Sequence, residues 1–371
     1  MRSALLALAA VLGVAAPAAA HPSAIHVAGN RLVDGRGRTV RLIGVDRSGS
    51  EYACAGPDGA GGYGWGIWQG PVGDATVAAM RTWHVRAVAL PLNEACWLGG
   101  YAGLKRAYSG PAYRRAVGAY VKRLEGHGIR VVLRLSGAAP GDHAYGQDGV
   151  SPSEIPMADA DHSLRFWRSL ARRFRDDRAL VFHAFDEPNS IGWDCALHGC
   201  TATDRPDGRE RYGSYRAVGH QAIVDAIRST GARQPIVISG IDFAGTLRGW
   251  ARHMPHDPLH QLVAGFNTFD FSGNYPAAKP DLRRVAEHHP ILIGGFGDTD
   301  CNSDFSRGLM RLADRLRISY LAWTWNTVQD YGGCANALLD GGDPAHPDRG
   351  YMTARPSGYG RGIRAHFLRL R

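Results

Sequence analysis

The segment 112–135, AYRRAVGAYVKRLEGHGIRVVLRL, decides the architecture. Ala112 to His127 has helical periodicity, and Gly128 follows it as a C-cap glycine should. Ile129 to Leu135 is then a short apolar run rich in β-branched residues, the pattern of a strand buried on both faces in a parallel sheet. The unit recurs on either side. Runs of the strand type lie at Val40 to Val45, Val85 to Leu90, Leu180 to Phe185, Ile236 to Ile238, Leu262 to Phe266, Ile291 to Ile293 and Ile318 to Trp323, which makes eight with Ile129 to Leu135. Helical stretches at Asp74 to Thr82, His162 to Asp176, Tyr212 to Ser229 (followed by a second C-cap glycine, Gly231), Leu282 to His288 and Phe305 to Leu316 fall between them; Phe243 to His253 is a weaker one. Strict alternation implies an α/β sheet. Eight strands in roughly 300 residues favour closure into a (β/α)8 barrel, a TIM barrel, over an open doubly wound sheet. Such a barrel carries its chemistry at the C-terminal ends of its strands.

Ahead of the barrel, Val27 and Arg31-Leu32-Val33 flank Gly29-Asn30, and Asp34-Gly35 precedes Thr39 to Ile43, so an N-terminal β-hairpin is expected. Residues 1–20 read as a secretory signal peptide: Arg2, the apolar run Ala4 to Ala16, and Ala18-Ala19-Ala20 before cleavage at His21. That run is too short to span a bilayer, and no later stretch is long enough. Residues 21–371 hold no linker, low-complexity tract or repeat, which predicts one domain in a secreted, monomeric protein. The net charge is +9, and all but three of the 43 basic residues are arginine. They are scattered over helix faces, as in Arg165, Arg168, Arg172, Arg173, Arg175 and Arg178, with no nucleic-acid module beside them, so a solvated surface is expected and a nucleic-acid partner is not.

Six cysteines, Cys54, Cys96, Cys195, Cys200, Cys301 and Cys334, are an even number in a chain read as exported, which predicts three disulfides. Spacing favours Cys195–Cys200 as a local clip. The pairs Cys54–Cys96 and Cys301–Cys334 would each join loops at the same barrel end. Neither C-x-x-C nor a paired histidine spacing is present, so no metal is expected. Gly59-x-Gly61-x-x-Gly64 matches a dinucleotide fingerprint but does not lie between a strand and a helix, and no cofactor is expected from it.

At the strand ends several words stand in register: Leu42-Ile43-Gly44-Val45-Asp46-Arg47-Ser48-Gly49, Pro91-Leu92-Asn93-Glu94, Phe185-Asp186-Glu187-Pro188-Asn189, Gly294-Gly295-Phe296-Gly297 and Leu321-Ala322-Trp323-Thr324-Trp325-Asn326. From about residue 26 to 345 the chain resembles glycoside hydrolase family 5, the cellulase-like barrels. The resemblance implies hydrolysis or binding of β-linked glucan, Glu187 in the acid/base position and Trp323 as a sugar platform. It also exposes departures. The arginine of strand two is Ala89, the histidine of strand three is Ser136, and the asparagine before the acid/base is Asp186. The histidine and tyrosine after strand six are Asn267 and Phe269, and the nucleophile is Gly295.

A retaining glycosidase needs two carboxyls about 5–5.5 Å apart, and an inverting one needs them about 6.5–9.5 Å apart with water between. Gly295 cannot attack. Asp298 and Asp300, in the loop beyond, are the nearest substitutes, though loop aspartates more often serve turns. Trp65 and Trp68 in the first loop and Trp97 in the second are candidate sugar contacts, while Trp325 is expected to pack. Three functions follow: a glucan hydrolase with weak or relocated chemistry, a catalytically silent carbohydrate-binding barrel, or a structural or interaction protein.

Overall fold

The computed structural model describes residues 21–55, 66–101, 103–142, 155–203, 213–328, 333–341, 346 and 348–370. The expected signal peptide, the Gly59–Gly64 motif and Trp65 lie outside the described residues. The chain opens with a three-stranded antiparallel sheet, β1 (Ile25–Ala28), β2 (Arg31–Asp34) and β3 (Thr39–Val40), one strand more than the expected hairpin. A closed parallel barrel follows: β4 (Ile43–Asp46), β5 (Ala87–Asn93), β6 (Arg130–Gly137), β7 (Val181–His183), β10 (Ile236–Ser239), β11 (Leu262–Phe269), β12 (Ile291–Gly297) and β13 (Ser319–Ala322), which returns to β4. All eight expected strands are there, and the expected (β/α)8 barrel is the observed fold.

Alternation sorts each strand's side chains into two layers. Leu42, Ala87, Ala89, Val132, Val181, Val237, Val263, Leu292 and Leu321 fill the lower barrel axis as one apolar cluster. Ile25 and Leu32 of the N-terminal sheet belong to that cluster, so the sheet plugs the bottom of the barrel. Ile25 N donates to Arg178 O and Val27 N to the Gln261 side chain, which ties the plug to the segments leading into β7 and β11. Val45, Val88, Leu90, Leu133, Phe182, Ile238 and Ile293 face outward and pack under the helices. Burying each such side chain contributes about 1.5–3 kcal/mol. Gly44 is required here: a Cβ on it would stand 1.7 Å from Ala87 O, where β4 and β5 approach.

The helices that matter to the site are α1 (Asp74–Arg81), α2 (Glu94–Leu98), α3 (Pro111–Gly126), α4 (Ser163–Phe174), α5 (Trp193–His198), α6 (His220–Arg228), α7 (Tyr275–Ala286) and α8 (Asp304–Arg315). Gly128 and Gly231 take positive φ of 74° and 82° after α3 and α6, as C-cap glycines should. Two helix expectations need correction. Tyr212 to Ser229 is not one helix. Its first part is β9 (Ser214–Ala217), which pairs antiparallel with β8 (Cys200–Thr203) because its side chains alternate exposed and buried, and α6 begins only after Gly219. Phe243 to His253 keeps a single 3-10 turn, Trp250–Arg252, since Gly249 in the left-handed region interrupts it. Two C-terminal helices, α9 (Asp348–Thr353) and α10 (Gly358–Phe367), close the wall beside α1 and α8.

The three disulfides pair as expected, Cys54–Cys96, Cys195–Cys200 and Cys301–Cys334, with Cα–Cα distances of 5.4, 5.1 and 5.2 Å. No helix among the described residues is long and apolar enough to cross a membrane.

Candidate active site at the barrel mouth

Above the apolar plug, the inward positions become polar. On β6 the inward series runs Val132, Arg134, Ser136. Arg134 is 1% exposed and is held on three sides. Its Nη2 lies 2.7 Å from Asp46 Oδ1, its Nε lies 3.1 Å from Asp186 Oδ2, and its Nη1 donates to Gly294 O at 3.0 Å. Burial opposes the guanidinium charge, but Asp186 and Asp46, with Glu187 and Glu51 behind them, outweigh it and raise its pKa. Burial pushes the Asp46 carboxyl well up, against the pull of Arg134. Burial likewise lifts Glu51 to about 7, although it accepts from Gly49 N and Ser48 Oγ.

Asp186 and Glu187 leave the end of β7. Ser136 Oγ donates to Asp186 Oδ2 at 2.9 Å. Asn267, from the upper part of β11, donates its amide to Glu187 Oε1 at 2.7 Å and to Asp186 Oδ1 at 3.3 Å. Ser136, Asp186, Glu187 and Asn267 therefore form one connected group, as the alignment of words implied. Asn267 also faces the other wall. A Cβ on Gly295 would stand 3.7 Å from Asn267 Oδ1 and 3.7 Å from Phe269 Cζ, and nothing lies closer. Gly295 thus offers space opposite Glu187 and no carboxylate. Trp323 completes the floor, with the Arg134 guanidinium 5.7 Å from its ring centroid.

His183 lies at the level of Gly294. Ser239 Oγ donates to the carbonyls of Phe185 or Asp186 at 2.7 Å, so His183 Nε2, 2.7 Å from that oxygen, carries the ring proton. Burial, Arg134 and His220 lower the His183 pKa well below normal and keep it neutral. Its Nδ1 and Asn267 Oδ1 are buried and meet no protein donor among the described residues, and they lie 3.7 and 3.1 Å from where a Cβ on Gly294 would stand.

Four expected contacts are corrected. Trp97 is fully buried in α2, packed on Phe166, with its Nε1 donating to Ser169, because the Asn93 cap turns it beneath the helix. Trp68 is 5% exposed and packs edge-on against Tyr120, so it too is core. Asp298 is buried, and its two oxygens accept from Phe305 N, Ser306 N and Ser306 Oγ, capping α8. Asp300 is exposed and bonds Asn302 in its own loop. Neither aspartate joins Glu187. Trp325 is fully buried against Trp83, as expected.

Reading the chain by itself missed Arg134, Asp46, His183 and Glu51. It also missed a buried trio beside the mouth, Glu94, Asp159 and His162, whose ligand-type atoms lie within 4.8 Å of one another. Ser163 Oγ donates to Glu94 Oε2 at 2.6 Å and lies 3.2 Å from Asp159 Oδ2; Ala139 N donates to Glu94, and Asp161 N and His162 N to Asp159. Burial and the Asp159 charge push Glu94 well up. Those bonds already tie α2 to the start of α4, so the trio is a clamp on the loop.

An eight-stranded parallel barrel with carboxylates, an amide and an indole gathered at its C-terminal mouth defines a (β/α)8 barrel with its polar site where enzyme barrels carry theirs. The family profile Cellulase (glycosyl hydrolase family 5) matches residues 45–329, and the chain belongs to that family. No curated protein matches it. Among solved structures, the catalytic domain of a Thermobifida fusca endoglucanase superposes with a TM-score of 0.61 at 16% identity, covering 93% of this chain and 97% of that one. A Saccharophagus degradans β-glucanase in complex with cellotetraose gives 0.62 at 14% identity, covering 96% and 98%. The catalytic domain of the major Xanthomonas campestris endoglucanase gives 0.59 at 16%, covering 85% and 94%. These likenesses are of fold.

Proposed function

We propose that this chain is an exported family 5 barrel that binds β-linked glucan oligosaccharides and hydrolyses them weakly or not at all. The carrying observation is Asn267: its amide holds Glu187 at 2.7 Å, while its oxygen faces Gly295, where a retaining mechanism needs its second carboxyl. Asp186, Asp46 and Asp298 are each engaged by arginine, serine or a helix end, and none supplies that second carboxyl. Trp323 and the acid/base position of Glu187 support saccharide binding, as does the cellotetraose bound by the Saccharophagus degradans relative in fold. Three disulfides and the pattern of residues 1–20 support export.

Calorimetry against cello- and manno-oligosaccharides, with release of aryl alcohol from an aryl β-glycoside in parallel, tests the reading. Binding without turnover, lost in Trp323→Ala, is expected. Failure to bind every such sugar would favour a structural or interaction role, and robust turnover would restore the hydrolase.

A further inference from the structure

The arginines of α4 are not scattered once the chain is folded. Arg165, Arg168, Arg172 and Arg173 line a cleft of about 610 Å3 on the outer wall of the barrel, and Arg114 joins them from α3. No acidic residue lines it, and none of the five has an ion-pair partner among the described residues. Some arginines elsewhere are paired, Arg38 with Asp34, Arg41 with Asp314, Arg228 with Asp257 and Arg284 with Asp281. Like charges three and four residues apart destabilise a helix, so α4 carries a strain that an anion in the cleft would relieve. A Cβ on Gly118 of α3 would stand 2.6 Å from Arg173 Nη2, so the guanidinium lies against the α3 backbone. Arg114 Nη1 donates to Trp97 O at 2.6 Å, which fixes the far edge.

We propose that this cleft binds a polyuronate chain, a polysaccharide bearing one carboxylate per sugar. The guanidinium fork matches a planar carboxylate with two parallel hydrogen bonds. Arg165 and Arg172 stand about 10.5 Å apart along the helix axis, on the order of the length of two sugar units. Arg165, Arg168, Arg172 and Arg173 run along one helix, α4, a linear array that suits an extended chain. The one aromatic among its described lining residues, Trp97, is fully buried and offers no face for a base to stack on. The choice of a saccharide rests on the glucan reading above; the anion-binding cleft does not.

The test is titration of the full chain with polygalacturonate at about 0.05 M salt, with cello-oligosaccharide binding measured separately. A second basic groove, lined by Lys279, Arg283, Arg311 and Arg315, provides the control. Arg168→Glu/Arg172→Glu is expected to weaken polygalacturonate binding at least about tenfold, the loss of a charge-assisted contact. Arg311→Glu/Arg315→Glu should change it by less than about twofold, and about 1 M salt should abolish it. Three results would overturn the proposal: no binding of polygalacturonate, equal weakening by the α8 pair, or binding of single-stranded DNA or anionic vesicles as tight as that of the polyuronate. Cello-oligosaccharide binding, read independently, tells failure of this proposal from failure of the glucan reading.

Discussion

Gly295→Glu returns a carboxylate to the wall opposite Glu187. The change fits: the nearest atoms to the new Cβ are at 3.7 Å, ordinary contact, and Gly295 is not in the left-handed region. Its chemistry is less favourable. The nearest polar atom is the bare Asn267 Oδ1, an acceptor that repels a carboxylate, and the nearest ring is Phe269, which has no hydroxyl. Arg134 is near, bonded to Gly294 O, but its charge is already shared by Asp46 and Asp186. Phe269→Tyr would attach an oxygen to the Cζ that stands 3.7 Å from that Cβ, within reach of the new side chain. A hydrogen bond to a charged group contributes about 1.5–3 kcal/mol, or roughly 10- to 10²-fold in rate. Misorientation of an unsupported carboxylate by about 1 Å costs a further ~10²-fold. Gly295→Glu alone is therefore expected to leave aryl β-glycoside turnover at background, and Gly295→Glu/Phe269→Tyr to exceed it by about 10- to 10²-fold. Adding Ala89→Arg, the strand-two residue implied by the family resemblance, should not help. Ala89 is 1% exposed among Leu42 and Val132, and a second buried cation there would oppose Arg134. Equal turnover by the single and double variants would refute the reasoning.

Arg134→Met should cost about 3–5 kcal/mol in denaturant unfolding because it strands Asp46 and Asp186, and Arg134→Lys should not restore it, since one ammonium cannot meet both carboxylates and Gly294 O. Glu51 is raised from 4.5 to about 7 by burial, so its proton is held more tightly folded than unfolded. Its contribution is therefore full below pH 4.5 and declines by on the order of 3 kcal/mol as pH rises to about 7; Glu51→Gln should flatten that part of the stability profile, and an unchanged slope would exclude the assignment. Cys54→Ala/Cys96→Ala, opening a loop with a sequence separation of 42, should lower stability by about 4 kcal/mol, against about 2 for Cys195→Ala/Cys200→Ala with a separation of 5.

The barrel was legible because its strands announce themselves as apolar runs. Their ends were less so. β12 runs on through Gly294 to Gly297, where glycine gives no apolar signal, and β11 runs on to Phe269 through polar residues that line the mouth. Val40 to Val45 reads as one strand but bends at Arg41-Leu42, leaving β3 to the plug and β4 to the barrel. In the site, the linear words named Glu187, Asn267 and Gly295, and the fold sets Asn267 against both of the others. Arg134 and His183 were passed over because each sits inside an apolar run that reads as core. The available signal was parity: a charged residue two positions from Ser136 on the same strand shares its inward face. Trp68 and Trp97 failed for the opposite reason. An aromatic near the mouth carries the same letter whether it stacks on sugar or packs under a helix, and only burial separates the two.

The departures at the mouth balance one another. Gly295 removes a carboxylate from the implied family pattern and Asp186 adds one; Ala89 removes an arginine and Arg134 supplies one from the next strand. A buried charge without a partner costs several kcal/mol, so folding alone demands this matching. A carboxylate brought into the mouth would meet Glu187 and Asp186, where a neutral sugar meets no like charge. The mouth should therefore take neutral glucan and exclude uronate, the reverse of the arginine cleft on α4. Both ligands should then bind at once: saturating polygalacturonate leaves the affinity for cello-oligosaccharide unchanged within about twofold, because the two sites share no residue. Competition between them would place uronate at the mouth and refute its exclusion by Glu187 and Asp186.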